Sequence, residues 1–295
     1  MKKIVLAFAA LVLFSISYAQ NTDANRLVII KDGKAGYIDT LGKEVISPVF
    51  ANGGQFSEGI ATVVHTGNKG LRYTFINDKM EVVIPVVFDA AGDFTEGLAS
   101  VQVGGKWGYI NKEGNTAIEP QFAMCFDFHE GYAMAQKKDK WGLINKNGEW
   151  AVQPVYYSIS NYSDGLFAGQ KEMGEKWFFY NLEGSVAIKD TFDRAGFFTN
   201  GLAPVRKNDK WGFVNKAGKL VIDYQYTGAM EFSSGLACVE KDFANWGFIN
   251  TAGNTVIDFQ FASHARFRFN HALVEKGVEY GYINKTGIFI WSGKQ

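Results

Sequence analysis

The chain has 295 residues, of which 47% are hydrophobic and 15% aromatic, so it is long enough to bury one large core or two ordinary ones. Lysine plus arginine (30) equals aspartate plus glutamate (30), which excludes a strong overall field for nucleic acid or anionic lipid. The 33 glycines and 25 phenylalanines, without a sustained helical period, favour short strands and tight turns over long helices.

The N-terminus is predicted to be a secretory signal peptide. Two lysines precede an apolar run over residues 4–16, and Ser17 and Ala19 place small residues before a cleavage site. A transmembrane anchor is the alternative, but the run is shorter than the ~20 residues that a spanning helix needs. We therefore expect residues 1–19 to be removed, which leaves an exported protein, periplasmic, secreted or on the cell surface, with no membrane span.

One phrase recurs eight times within residues 26–291, after a short N-terminal segment over 20–25. It is clearest over residues 106–111, Lys-Trp-Gly-Tyr-Ile-Asn, and the asparagine or aspartate that ends it returns at steps of 34 to 38 residues. A steady period of this size is typical of a solenoid, a propeller or a related array. The structural repeat positions that define the phrase are Trp107, Gly108, Asn111, Trp141, Gly142, Asn145, Trp177, Trp211, Gly212, Asn215, Trp246, Gly247 and Asn250.

Each unit is predicted to contain three strands, as residues 97–131 illustrate. Residues 97–103 mostly alternate apolar and polar side chains, a Gly-Gly turn follows, and the phrase forms the second strand. Asn111 is expected to cap the next turn, and Gly114 tolerates its exit angle. Pro120 lies at the end of the third strand and favours an edge position, where no ladder hydrogen bond has to be donated.

Aromatic side chains are expected to hold neighbouring units together. The segment that crosses to the next unit carries two of them six residues apart, as in Phe122 and Phe128, and each contributes roughly 1.5–3 kcal/mol when fully buried. Within the phrase, tryptophan is expected to pack on one sheet face, while glycine leaves the other face bare for a neighbour's aromatic ring. The alternative for the tryptophans is an exposed row that stacks on sugars or extended peptides.

The pattern Lys-Trp-Gly-(Tyr/Phe/Leu)-(Ile/Val)-Asn-x-x-Gly, followed by an Ile-x-Pro strand and by Phe-x-Glu-Gly-Leu-Ala, resembles the WG-repeat proteins of bacteria. The resemblance covers nearly all of 26–291. It implies an all-β tandem array, often exported, that binds other molecules and has no catalytic residues common to the family. Four units depart from the pattern, at Ala35, Tyr73-Thr74, Phe178 and Tyr280.

No spacing in the sequence is typical of catalysis, a metal or a cofactor, so we expect a protein that is not an enzyme. The four histidines lack metal-ligand spacing. Carboxylates such as Glu96 and Glu130 recur once per unit, which favours turn capping or a ladder of solvated charges over glycoside hydrolysis. Cys125 and Cys238 lie three units apart, whereas a disulfide needs Cα atoms within ~7 Å, so two free buried thiols are expected.

The stretch 263–271 is the least repetitive part of the array. It gathers His264, Arg266, Arg268 and His271 within nine residues. We interpret these four side chains as candidates for a small anion site or a partner contact. A solvated basic patch on a capping unit is the alternative.

Taken together, these patterns predict an all-β array of eight units of about 34 residues, each a three-stranded antiparallel meander. No unit is split between the termini, as the strand exchange that often closes a propeller would require, so an open superhelical stack is favoured and a closed eight-bladed propeller is the alternative. The expected function is a non-catalytic scaffold that binds a protein or peptide of the cell envelope. Carbohydrate or cell-wall binding through aromatic side chains is the alternative, so the expected partner is an unidentified protein, peptide or glycan, with no nucleic acid.

Overall fold

A computed structural model describes residues 25–67 and 70–294, which form eight antiparallel sheets. The sheets follow one another along the chain and correspond to the eight repeat units, so the prediction of an all-β repeat array is confirmed. The predicted signal peptide and residues 20–24 of the predicted N-terminal segment lie outside the described residues.

Each sheet is a blade whose strands lie side by side in chain order. Blades 1 to 4 contain β1 (Leu27–Lys31), β2 (Lys34–Ile38), β3 (Glu44–Phe50); β4 (Asn52–Gly53), β5 (Ile60–Gly67), β6 (Gly70–Asn77), β7 (Val82–Phe88); β8 (Ala90–Thr95), β9 (Leu98–Val103), β10 (Lys106–Asn111), β11 (Thr116–Phe122); and β12 (Met124–Cys125), β13 (Tyr132–Lys137), β14 (Lys140–Asn145), β15 (Trp150–Tyr156). Blades 5 to 8 contain β16 (Ser158–Ile159), β17 (Phe167–Gln170), β18 (Trp177–Tyr180), β19 (Val186–Phe192); β20 (Arg194–Ala195), β21 (Leu202–Lys207), β22 (Lys210–Asn215), β23 (Leu220–Tyr226); β24 (Gly228–Ala229), β25 (Ala237–Asp242), β26 (Asn245–Ile249), β27 (Thr255–Phe261); and β28 (Phe267–Arg268), β29 (His271–Lys276), β30 (Glu279–Asn284), β31 (Phe289–Lys294).

The blades contain a short inner strand that the sequence pattern did not predict. Within the described residues, seven blades have four strands, and blade 1 has three. In blade 4 the inner strand is Met124–Cys125, which pairs with Gln136 and Ala135. Because most of these inner strands are two residues long, they are too short to show an alternating pattern, and the sequence assigned them to the crossing segment.

The glycine of the repeated phrase makes room for the backbone of its own blade. A Cβ atom on Gly142 would lie 2.4 Å from the carbonyl oxygen of Val152, because an irregularity in the ladder brings the outer strand over the glycine. The expectation that a neighbour's aromatic ring would fill this space is therefore wrong. Blade 2 carries Thr74 at the same position, and its hydroxyl donates a hydrogen bond to the carbonyl oxygen of Ile84 at 3.0 Å.

The asparagine of the phrase caps the turn that follows it, as predicted. In blade 4 the Asn145 side-chain oxygen accepts hydrogen bonds from the amides of Asn147 and Glu149, both at 3.0 Å. The fourth residue of the turn has a left-handed backbone, with φ +81° at Gly148 and +65° at Met80, the one unit without glycine there. Side-chain capping therefore fixes the register between the last two strands of each blade.

The core lies between adjacent blades, where the paired aromatic side chains interlock. Tyr109 of blade 3 and Phe128 of blade 4 have ring centroids 4.8 Å apart and are both almost fully buried. The cluster around them mixes residues of the two blades, and the buried free thiol of Cys125 belongs to it. Cys238 is likewise free and buried, three blades further on. The crossing aromatics thus hold neighbouring blades together, as predicted.

Blade 8 packs against blade 1, so the array is a closed ring. The Tyr282 hydroxyl donates a hydrogen bond to the carbonyl oxygen of Val28 at 2.8 Å. Tyr282 also shares a buried cluster with Leu27 and Ile29, against which Trp291 packs. Of the two predicted arrangements, the eight-bladed β-propeller is the one that forms, and not the open superhelical stack.

The ring closes through side chains at the inner edge of β1, where blade 1 has no inner strand among the described residues. Gln55 of blade 2 accepts a hydrogen bond from the Val28 amide at 3.3 Å and donates one to the Tyr282 hydroxyl at 2.8 Å. Tyr280 donates a hydrogen bond to the carbonyl oxygen of Ile30. These side chains satisfy the exposed edge of β1, which explains why strand exchange is not needed for closure.

The propeller has two distinct faces. The hairpin face carries the tight turns that precede the phrase, such as Gly104-Gly105 between β9 and β10. The turn face carries the turns at Glu96-Gly97 and at residues 111–114, and their counterparts in the other blades. The short inner strands surround the central axis between these faces.

Candidate functional site

The candidate stretch 263–271 runs from the hairpin face along the axis to the turn face. His264 remains on the hairpin face, edge-on to a tryptophan of blade 7 at 5.6 Å between ring centroids. Arg266 and Arg268 lie at the axis, whereas the Nδ1 atom of His271 is 2.7 Å from a carbonyl oxygen two residues earlier in the turn. The structure therefore brings the two arginines together at the axis and separates the two histidines from them.

Arg268 reaches across the centre of the ring. Its Nη1 atom lies 3.4 Å from Oδ2 of Asp93 in blade 3, and its Nη2 atom lies 3.4 Å from the carbonyl oxygen of Phe56 in blade 2. The Asp93 contact joins blade 8 to a blade that is not its neighbour in the ring, whereas the Phe56 contact lies next to the Gln55–Tyr282 hydrogen bond, where the described part of blade 1 has no inner strand. Arg268 thus connects three blades at the axis.

Arg266 takes part in a second arrangement across the axis. It forms an ion pair with Glu231 of blade 7. Its guanidinium group lies 5.4 Å from the ring centroid of Phe197 in blade 6, within cation–π range. The opposite side of the channel contributes His129 of blade 4, whose ring centroid is 5.8 Å from that of Phe197. Glu231, Arg266, Phe197 and His129 thus form a continuous series of contacts between blades 7, 8, 6 and 4 at the axis.

Three acidic side chains at the axis rest against glycines of the preceding blade. Asp93 lies against Gly54, Asp127 against Gly92 and Glu231 against Gly196. A Cβ atom on any of these glycines would lie within 2.8 Å of the carboxylate oxygen, so a larger residue would displace the acid. All three acids occupy the repeat position directly before the second crossing aromatic. Across the units this position holds Gln55, Asp93, Asp127, Asn161, Phe197, Glu231 and Arg266. Sequence reasoning missed the position, although its change in charge from unit to unit was a readable signal.

The carboxyl groups of Asp93 and Asp127 share the axis with Arg268. Burial, together with the neighbouring charge of Asp93, raises the pKa of Asp127 to about 6, against the opposing effect of Arg268. Burial also raises the pKa of Asp93, and the Arg268 guanidinium group again opposes the rise. Negative charge therefore accumulates at this point of the channel, and Asp127 is its least compensated member.

We expect Asp127→Asn to stabilise the protein at neutral pH and to have little effect near pH 4. A carboxyl group whose pKa is raised by folding contributes stability that is fully present below its unfolded value, 3.8, and lost as the pH rises through about 6. Asp127 lies among the side chains at the axis, but it is still exposed to the solvent of the channel, so the gain at neutral pH is at most about 1 kcal/mol. Thermal denaturation at the two pH values measures it, with Asp223→Asn on the outer strand β23 as control. An equal effect of Asp127→Asn at both pH values would contradict this account.

The tryptophans of the phrase are half-buried and pack within the propeller. Each one lies beside the first crossing aromatic of its blade, as Trp141 does opposite Tyr156. The five phrase tryptophans each pack against a buried cluster, and they are Trp107, Trp141, Trp177, Trp211 and Trp246. Most of each indole ring is therefore buried against the core, and only a minor part of its surface is left for a ligand.

The carboxylates that recur in the turns hold adjacent blades together. Glu58 Oε2 accepts a hydrogen bond from the amide of Gly97 in the next blade at 3.1 Å and pairs with Lys112 Nζ at 2.9 Å. Glu96 makes the equivalent two contacts one blade further on, both at 3.0 Å. These groups therefore link neighbouring blades, rather than capping their own turns.

A cleft of about 660 Å³ opens on the hairpin face where blade 8 meets blade 1. This seam cleft is lined by Ile30, Asp32, Gly33, Ser263, His264, Leu273, Glu275 and Tyr280. Ile30 and Leu273 are each 42% exposed, so the cleft has accessible aliphatic walls. In the described part of the chain, neither Asp32 nor Glu275 forms an ion pair.

The axis and the seam cleft differ in what they offer a ligand. At the axis Arg266 and Arg268 already pair with carboxylates, whereas the cleft presents carboxylates without an ion pair beside aliphatic side chains. Across residues 25–67 and 70–294, no group of three or more histidine, cysteine or acidic side chains is placed to hold a metal ion. The same residues contain no helix with the length and apolar character of a membrane span.

The sequence profile described as the WG containing repeat matches the chain seven times. The matches cover 36–69, 73–107, 107–141, 141–172, 177–211, 211–242 and 246–277, which is most of the propeller. Several run from one tryptophan of the phrase to the next, so the profile is offset from the blades. The resemblance stated from the sequence is thereby confirmed. No functionally curated protein matches the sequence.

Several solved structures share the fold at low sequence identity. BamB from Moraxella catarrhalis has a TM-score of 0.52 at 9% identity, with 84% of this chain and 87% of that chain covered. Apo AztD from Citrobacter koseri has a TM-score of 0.52 at 10% identity, with 91% and 93% covered. The dihydro-heme d1 dehydrogenase NirN in complex with DHE has a TM-score of 0.60 at 8% identity, with 92% and 74% covered. At these identities the likeness shows the fold alone.

Proposed function

The chain belongs to the WG-repeat family and folds as an eight-bladed β-propeller, and on this basis we propose that it is an exported, non-catalytic scaffold that binds another protein of the cell envelope. The predicted signal peptide over residues 1–19 supports the export. The recurring polar residues have structural roles, because the asparagines cap turns and the glutamates join blades. This supports the non-catalytic role.

The observation that carries the proposal is the seam cleft together with the hairpin tips beside it. Phe243, at the tip of the blade 7 hairpin, is 95% exposed, and Val278, at the tip of the blade 8 hairpin, is 72% exposed. Both project from the face on which the cleft opens. These side chains add exposed apolar area to the face on which the cleft opens, and a protein partner bound at the cleft would bury that area.

The lining of the seam cleft suits a peptide segment with an aliphatic and a basic side chain. An aliphatic side chain would be buried between Ile30 and Leu273, and a lysine or arginine would pair with Asp32 or Glu275. Neither carboxylate forms an ion pair within the described residues. A basic group of the partner would therefore form a new ion pair without breaking an existing one. The cleft therefore favours a partner that inserts a short extended segment.

Carbohydrate binding through the tryptophans is the second candidate. The packing of the indole rings within their blades argues against a continuous platform along the row. Trp177 and Trp211 are the members that a specific observation favours, because both border a cavity near the axis.

A photo-crosslinking side chain at Leu273 is expected to trap a discrete partner when the protein is expressed in its native cells. The reason is that Leu273 lines the seam cleft and is 42% exposed, so a bound segment would contact it. The adduct is measured by immunoblotting and mass spectrometry of the envelope fraction. Export is read from the same sample, as a mature chain that begins at Gln20.

The matched control is the same crosslinker at Val103, which is 50% exposed next to the blade 3 hairpin, outside the cleft. It should give no comparable adduct. Identical adducts at both positions, or none at Leu273, would refute a partner in the seam cleft. An uncleaved chain in the cytoplasm would refute export.

A further inference from the structure

A second cavity lies beside the axis and shares none of its lining residues with the seam cleft. It has a volume of about 420 Å³ and is bounded by blades 5, 6 and 7, with Arg266 entering from blade 8. The lining residues that matter here are Ser158, Trp177, Arg194, Trp211, Glu231 and Arg266. The volume falls within the range of roughly 300–1,000 Å³ that is typical of small-molecule sites. We refer to it as the axial cavity.

Two indole rings form an aromatic wall of the axial cavity. Trp177 and Trp211 hold the same repeat position in adjacent blades, so their rings border the cavity from two neighbouring sheets. Each packs part of its ring against a buried cluster of the propeller. The remaining surface of each ring borders the cavity, where it offers aromatic area for the apolar face of a ligand.

The axial cavity carries a net positive charge. Arg194 lies directly opposite Arg206 in the ladder between β20 and β21. Arg206 is paired with Asp209, whereas Arg194 has no ion pair among the residues that the structure describes. Arg266 is paired with Glu231. Two arginines and one glutamate thus line the cavity, and the guanidinium group of Arg194 has no compensating carboxylate.

We infer that the axial cavity binds a carboxylated sugar. The sugar carboxylate would pair with Arg194, whose planar guanidinium group binds carboxylates through two parallel hydrogen bonds. The apolar face of the pyranose ring would lie on Trp177 and Trp211. The Ser158 hydroxyl and the Glu231 carboxylate would bind sugar hydroxyls. This inference does not depend on the proposed partner of the seam cleft.

The charge on Arg194 selects this ligand class over a neutral sugar. An uncompensated arginine opposite another arginine is electrostatically unfavourable in a sheet, and an anionic ligand removes that cost. A neutral sugar could use the indole rings and the hydroxyl partners, but it would leave Arg194 unpaired. Discrimination between an acidic sugar and its neutral counterpart is therefore the property to measure.

The test compares galacturonate with galactose, which differ at one carbon, by calorimetry and tryptophan fluorescence. Galacturonate is expected to bind about tenfold more tightly than galactose or better, since a hydrogen-bonded ion pair is added. Arg194→Gln should abolish this preference, and Lys189→Gln, which removes a charge from the outer strand of blade 5 outside the cavity, should preserve it. A galacturonate trisaccharide that binds more tightly than the monosaccharide identifies a chain as the ligand, and one that binds no more tightly identifies a single sugar.

Three results would overturn the inference. They are equal binding of the two monosaccharides, no binding of galacturonate at millimolar concentration, and an effect of Lys189→Gln as large as that of Arg194→Gln. The crosslinking experiment at Leu273 is separate, because that residue lies in the seam cleft. Failure at one cavity is therefore distinguishable from failure at the other.

Discussion

Gly142→Thr is expected to lower the free energy of unfolding by about 3 kcal/mol or more, one of the largest effects of any single substitution in the propeller. A Cβ atom at this position would lie 2.4 Å from the carbonyl oxygen of Val152 and 2.9 Å from the amide nitrogen of Pro154. Both atoms are backbone atoms of the outer strand, so relief requires that strand to move. Urea denaturation followed by tryptophan fluorescence measures the loss.

The control for this substitution is present in blade 2, where the equivalent residue is Thr74. That blade has accommodated the side chain, and the Thr74 hydroxyl bonds to the carbonyl oxygen of Ile84. Thr74→Ala should therefore cost only about 1 kcal/mol, the value of one hydrogen bond. If Gly142→Thr is no more destabilising than Thr74→Ala, the outer strand is free to shift, and the steric role assigned to the glycine is wrong.

The repeat unit was predictable from the sequence because its determinants are local. Asn145 caps a turn made by its immediate neighbours, and Pro154 lies in the outer strand, as its lack of an amide hydrogen requires. The inner strands were not predictable, since two residues such as Met124 and Cys125 carry no periodic signal. Their pairing depends on the position of the crossing segment, which the whole ring determines.

The choice between a ring and an open stack depended on three side chains that look unremarkable in the sequence. Tyr280 and Tyr282 resemble ordinary variants of the repeated phrase, and Gln55 lies at a variable position of the crossing segment. The hydrogen bonds from Tyr280 and Tyr282 to β1, and the one from Gln55 to Tyr282, exist only when blade 8 reaches blade 1. No local pattern encodes that contact, because it depends on the small rotation between successive blades summed around the ring.

The sequence identified some of the residues at the axis but not their partners. The concentration of charge in 263–271 identified Arg266 and Arg268 before their positions were known. Their partners Asp93 and Glu231 lie 175 and 35 residues away in the chain, so spacing could not connect them. Comparing one repeat position across all units would have found these acids, because the propeller brings equivalent positions together around its centre.

Tyr282→Ala is expected to lower the free energy of unfolding by about 3–5 kcal/mol and to open the ring at the seam between blades 8 and 1. Tyr282 is 2% exposed and packs in a cluster with Leu27 and Ile29. Its hydroxyl also bonds to the carbonyl oxygen of Val28 and accepts a hydrogen bond from Gln55. The substitution removes the buried ring and leaves both polar partners unsatisfied.

Hydrogen exchange distinguishes loss of closure from loss of stability in general. The matched variant is Tyr109→Ala, which removes an equally buried ring and its hydrogen bond to the carbonyl oxygen of Phe126, but between blades 3 and 4. In Tyr282→Ala the amides of β1 should exchange faster, because the inner edge of this strand has side chains as its partners. In Tyr109→Ala the same amides should keep their protection, while those around blades 3 and 4 lose theirs. If both variants affect β1 equally, the ring opens as one cooperative unit, and the seam between blades 8 and 1 is no weaker than any other inter-blade contact.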